Sequence, residues 1–131
     1  MPIAIDANIA IAWFTASPPA VADRALKELV RGSCVVPALW RWEVQDVLRR
    51  LERDGHLTRS LVEALDVLRA LPITVDEVGA LFSDELSIAQ RYGITVYDAA
   101  YLELALRRRI PLATHDRQLA AAARRAGTAF T

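Results

Sequence analysis

At 131 residues, with 53% hydrophobic and 24% charged side chains, the chain reads as a single domain spanning residues 1–131. It is too apolar to be disordered. The 16 basic residues balance 16 acidic ones, so overall charge lacks the footprint of a typical nucleic-acid binder. No apolar run reaches the roughly 20 residues of a membrane helix and no basic segment with an apolar stretch opens the chain, so the expectation is a cytoplasmic protein without membrane contact. The one cysteine, Cys34, excludes an internal disulfide and reads as core packing.

Apolar periodicity alternates short strands with longer helices. Residues 2–5 predict a first strand, followed by a helical segment from about Asn8 to Phe14. Ser17 is the expected cap of a helix entered through Pro18 and Pro19, with Val21, Ala25, Leu29 and Val30 inward to about Arg31. Residues 34–36 predict a second strand. Pro37 leads into a helix with Trp40, Val44, Val47, Leu48 and Leu51 on one face, ended by Gly55. Thr58 caps the next, with Leu61, Leu65, Leu68 and Leu71 at helical spacing and Pro72 as the stop.

Residues 73–75 form a third predicted strand. Asp76 is then expected to cap a helix with Val78, Leu81, Phe82, Ala89 and Tyr92 inward and Gly93 at its carboxyl end. A further helix holds Tyr101, Leu102, Ala105 and Leu106. Residues 111–114 read as a fourth strand, 116–126 as a final helix ended by Gly127, and 128–130 as a last short strand. The alternation predicts an α/β fold, a three-layer α/β/α sandwich with a mainly parallel sheet.

Four carboxylates stand where strand-like runs give way to helix: Asp6, Glu43, Asp98 and Asp116. In a parallel sheet such positions converge in the crevice at the carboxyl edge. Glu43 precedes Val47 and Leu51 by four and eight residues, and Asp98 precedes Tyr101, Leu102 and Ala105 by three, four and seven, so both fall on apolar stripes. An uncompensated carboxylate there is costly. Local partners exist for each: an Asx turn of Asp6 with Asn8, a cap by Asp116, the positive helix end for Asp98, Arg41 or Arg49 for Glu43. Caps, however, require neither an inward direction nor a shared strand edge.

Carboxylate oxygens suit Mg²⁺ or Mn²⁺, and one cysteine with His56 and His115 makes a poor zinc site. Such an ion supports phosphodiester hydrolysis. Asp6 and Asp98 are the expected primary ligands, Glu43 and Asp116 the secondary ones, with Asn8 and Thr114 as polar support. A phosphate-binding loop, a dinucleotide fingerprint and a nucleophile-elbow serine are all missing from the sequence.

The segments Ile5-Asp6-Ala7-Asn8 with Trp13, Pro37-Ala38-Leu39-Trp40-Arg41-Trp42-Glu43-Val44, Tyr97-Asp98-Ala99-Ala100-Tyr101 and Leu112-Ala113-Thr114-His115-Asp116 resemble, in this order and spacing, the PIN-domain ribonucleases and among them the VapC-type toxins. The resemblance implies a PIN-like fold and a metal-dependent endoribonuclease in which Asp6, Glu43, Asp98 and Asp116 are the family's four acids, with Asn8 and Thr114 as accessories. It also implies an RNA substrate, a homodimer and a cognate antitoxin. Ala12 departs from the basic residue that relatives often carry before the tryptophan.

Two other functions remain as expectations, a catalytically silent binding module and a DNA nuclease with the same metal site. Trp42, on the polar side of its helix, reads as an interface or base-stacking side chain. The clusters Arg49-Arg50, Arg107-Arg108-Arg109 and Arg124-Arg125 read as solvated surface.

Overall fold

The computed structural model describes residues 1–77 and 81–131. Strand β1 (Pro2–Ile5) leads through Asp6 into α1 (Ala7–Ala12), and α2 (Ala20–Arg31) returns to β2 (Ser33–Pro37). Next come α3 (Ala38–Arg53), α4 (Leu61–Ala70) and β3 (Ile73–Asp76), then α5 (Glu85–Tyr92) and α6 (Val96–Arg108). Short β4 (Leu112–Ala113) and α7 (Arg117–Arg125) follow.

All strand pairs are parallel, in the order β3-β2-β1-β4. Parallel neighbours need crossover connections, which the helices supply. Ile3, Ala4 and Ile5 in β1 are all buried although successive side chains point to opposite faces, so both faces of the sheet are covered. Helix α6 packs on β1 and β2 with α5 and α7 beside it, while α2 packs on β1, β2 and β4 and α1 joins α2 to α3. This is the three-layer α/β/α sandwich expected from the sequence. Cys34 is a buried free thiol in β2, with its pKa pushed up by burial to about 12.

Several local expectations are corrected. The helix α2 starts after Pro19, without Ser17 as cap, and it buries Ala22, Ala25 and Leu29 while Val30 is exposed. Ser60, not Thr58, caps α4 by accepting the Glu63 N–H, and Ala64 is the residue it buries fully. Asp76 ends β3, and two arginines, described below, take its carboxylate. Among the described residues the following helix begins at Glu85, and Leu81 and Phe82 before it are exposed; Val78 lies outside the described residues. Residues 128–130 contribute one bridge, Ala129 to Leu112, instead of a strand.

Glycine matters at two places. Gly93 holds φ 67° in the left-handed region that closes α5, where other residues are strained. A Cβ at Gly32 would stand 2.7 Å from the Met1 carbonyl oxygen, so the start of β1 and the turn into β2 can approach only with glycine there.

Candidate active site

Asp6 leaves β1 with its N–H donating to the Ala113 carbonyl of β4 at 3.0 Å. That pairing sets Thr114, the next residue of the neighbouring strand, beside the Asp6 side chain. The Thr114 hydroxyl donates to Asp6 Oδ2 at 2.9 Å, and Asn8 Nδ2, one step into α1, donates to the same oxygen at 3.0 Å. Thr114 Oγ1 in turn accepts the Asp116 N–H at 3.1 Å. The expected Asx contact of Asp6 with Asn8 is thus present, inside a larger network of neutral groups.

Glu43 lies in the second turn of α3, and its Oε1 accepts the hydroxyl of Tyr101 on α6. Neither Arg41 nor Arg49 pairs with it among the described residues, so that expectation is corrected: both arginines point to the polar flank. Asp98 occupies the first turn of α6, where Thr95 caps the helix by accepting the Asp98 N–H at 3.0 Å. No strand precedes Asp98; α5 passes into α6 through residues 93–95. Asp116 caps α7, its Oδ1 accepting the Gln118 N–H at 2.9 Å.

The four carboxylates and Asn8 line one open cavity of about 540 Å³, with His115 at its rim. Thr114 supports Asp6 from behind. The carboxylates act on one another. Burial pushes Asp6 up to about 6, against the Thr114 hydrogen bond, and the charges of Asp98 and Glu43 add to it. Asp98 is also raised, by burial first and then by Asp116 and Glu43, against the Thr95 hydrogen bond. Burial, followed by the Glu43 carboxylate, raises Tyr101 far above the ordinary phenol range, which fixes its hydroxyl as a donor.

No Lys, Arg or His lies within ion-pair distance of any of the four among the described residues. As the side chains stand, no group of three or more His, Cys, Asp or Glu among the described residues is arranged to hold a metal ion. What the site offers is hard carboxylate oxygens that act on one another, a donor type that could hold Mg²⁺ or Mn²⁺ together with water.

Reading residues alone left two positions without a role. Tyr101 appeared as core, yet a buried phenol requires a hydrogen-bond partner, and its spacing of three from Asp98 pointed it toward the acids. Thr95 carries the other signal, a hydroxyl three residues before an acid at a helix start. Among the described residues no helix is long and apolar enough to cross a membrane.

Comparison with known proteins agrees with this architecture. The chain is 36% identical to Ribonuclease VapC3 of Mycobacterium tuberculosis over 95 residues, 72% of this chain and 68% of that protein. It is 38% identical over 72 residues to Ribonuclease VapC3 of Pyrobaculum aerophilum, covering 55% of this chain and 53% of that one. The crystal structure of PAE2754 from Pyrobaculum aerophilum shares the fold with a TM-score of 0.69 at 22% identity, over 93% of this chain and 84% of that chain. The PIN domain family model matches residues 3–125, and the chain belongs to the PIN domain family.

Proposed function

We propose that this protein is a Mg²⁺- or Mn²⁺-dependent endoribonuclease that hydrolyses RNA phosphodiester bonds at the four-carboxylate site. We further propose that it acts as the toxin of a toxin–antitoxin pair, as a single-domain chain that forms a homodimer and is restrained by a cognate antitoxin. The observation that carries the chemistry is the cavity in which Asp6, Glu43, Asp98 and Asp116 meet with no Lys or Arg lining it among the described residues. The relatives named as ribonucleases support the choice of RNA.

In this reading Asp6 and Asp98 are the primary ligands and Glu43 and Asp116 complete the site. A divalent cation held there would supply charge neutralisation for the phosphate and lower the pKa of a water. The chain's own groups do the positioning. Thr114 and Asn8 fix Asp6 Oδ2, and Tyr101 ties up Glu43 Oε1, leaving Oε2 without a partner among the described residues and able to accept a proton from an attacking water. Asp116 likewise spends Oδ1 on its helix and keeps Oδ2 for the cavity. The Tyr101 bond also locks α3 to α6, so the acids of two helices keep their spacing without a metal.

The test is cleavage of RNA, against single-stranded DNA of the same sequence, by the wild-type chain and by Asp6→Asn and Asp98→Asn variants in Mg²⁺ or Mn²⁺. RNA cleavage that each variant loses, with circular dichroism unchanged, is the expected result. Equal cleavage by an Asp6→Asn, Asp98→Asn double variant overturns it.

A further inference from the structure

The acids occupy one end of the cavity; the other end is aliphatic. Ile11, Ala12, Val47 and Leu51 line the same space, and no Lys or Arg does. Helix geometry orders the two chemistries. Val47 and Leu51 follow Glu43 by four and eight residues on one face of α3, about 6 and 12 Å along its axis. Ile11 and Ala12 follow Asn8 by three and four on α1, the same face one turn on. Both helices therefore bring a polar group to the acids and an aliphatic surface immediately beyond.

We propose that this aliphatic shelf seats a nucleobase next to the scissile phosphodiester, and that it favours a purine. The inference rests on the ribonuclease reading, which places the phosphate at the acids. A second phosphate needs cations, and the shelf has none. A base offers an apolar face and polar groups only at its rim, and bases held by enzymes are commonly stacked against apolar side chains. Its tether to the phosphate keeps it within reach of the surface that begins about 6 Å along α3. A polar reader stands at the edge: the Thr15 hydroxyl donates to the Ala12 carbonyl at 2.9 Å, which leaves its oxygen as an acceptor for a base amino group. A purine covers more of the distance from Val47 to Leu51 than a pyrimidine does. Ile11, Ala12, Val47 and Leu51 are thus specificity-determining positions, separate from the groups that act on the phosphate.

The test reads binding and selectivity separately. Methyl NMR of the Glu43→Gln variant in Mg²⁺, which keeps Asp6 and Asp98 and loses the proton acceptor, titrated with the dinucleoside monophosphate ApA, should show saturable ring-current shifts at Ile11, Val47 and Leu51. They should be smaller with UpU and missing with an abasic analogue. Silent methyls, or equal shifts with the abasic analogue, overturn the proposal; silent methyls return the shelf to an apolar protein segment. In steady-state cleavage by the active chain, Ile11→Phe, at a half-buried position, should crowd the shelf. KM should rise about tenfold with kcat within threefold, and product ends should move from purine toward pyrimidine. Val47→Asn, at a half-buried rim position that tolerates polarity, should raise KM in the same way should Ile11→Phe fail to fold. Unchanged KM and unchanged ends in folded variants overturn the proposal. A wild-type chain that cuts no RNA in either metal overturns the ribonuclease reading instead, because the methyl shifts do not depend on cleavage.

Discussion

Asp6 follows the last residue of β1, Asp76 is the last residue of β3 in the same sheet, and both are 7% exposed, yet the protein treats them in opposite ways. Asp76 is met by Arg107 Nη1 at 3.0 Å and Arg108 Nε at 2.6 Å, and Arg107 also holds Glu103 at 2.7 Å. Burial raises the Asp76 carboxyl, but the two arginines outweigh it and hold the group below the usual carboxylate range. Burial raises Asp6 to about 6, and the charges of Asp98 and Glu43 add to the rise, because among the described residues only neutral donors meet its carboxylate. Burial of a carboxylate is therefore not what marks a site. What sets Asp6 apart is that no cation among the described residues compensates its buried carboxylate.

The largest expected contrast is in activity. Asp6→Asn should reduce RNA cleavage on the order of 10³-fold, whereas Asp76→Asn should leave kcat within a few-fold; similar losses in both would erase the distinction. Stability should separate them in the opposite direction. Removing both arginines, Arg107→Ala with Arg108→Ala, takes two cations away from the buried Asp76 carboxylate. The loss should be about 2 kcal/mol by urea unfolding, a figure discounted because the arginine side chains are 37% and 41% exposed. Asp6→Asn in chelator should instead stabilise by about 1–3 kcal/mol, since it removes a buried charge.

A divalent cation should restore what Asp6 lacks. Mn²⁺ at 100 times its Kd should add about 2.7 kcal/mol to the wild-type chain, and nothing to an Asp6→Asn, Asp98→Asn variant, in a thermal-shift titration.

The two carboxylates should also respond oppositely to pH. The folded-state pKa of Asp6 is raised, so in chelator its burial cost is present at pH 7 and is relieved as pH falls through about 6 toward about 4. Asp98 acts in the same direction. The folded-state pKa of Asp76 is lowered, so its stabilisation is present above about 4 and lost below. Metal-free unfolding should therefore show greatest stability on the acid side of neutrality, near pH 5. A maximum at pH 7 to 8 would show that the acid cluster carries no such burden. The smallest effect is expected from Tyr101→Phe, which should cost about 1 kcal/mol and lower kcat a few-fold through a less ordered Glu43.

What the sequence made legible was periodic. The stripes of α3 and α6 gave the helices and, in phase with them, the inward direction of Glu43 and Asp98. The strand pattern placed Asp6 and Asp116 at adjoining strand ends. What it hid was long-range or set by a few degrees of chain direction. An aspartate before an apolar pattern reads as a cap, and nothing local to Asp76 indicates arginines 31 and 32 residues away. Those same arginines read as solvated surface for the converse reason. Val30 and Ala22 differ from expectation because α2 is rotated so that Ala22 and Leu29 share the buried face, a choice that several alanines on the helix left open. The expected caps Ser17 and Thr58 each lie two residues before the true N-caps, Pro19 and Ser60.

The two-residue strand β4 has a consequence for how this protein can be handled. Its inner side carries the Asp6 contact, while its outer side is held by Leu112 N–H to the Thr128 carbonyl at 2.8 Å and Phe130 N–H to the Leu112 carbonyl at 3.1 Å. Residues 128–130 thus act as a seam that keeps a very short strand seated. Truncation after Gly127 removes no group from the cavity, yet it should unseat Thr114 and so loosen Asp6. A trimmed protein that looks folded but cuts poorly would owe its defect to this lost stitching, not to its chemistry.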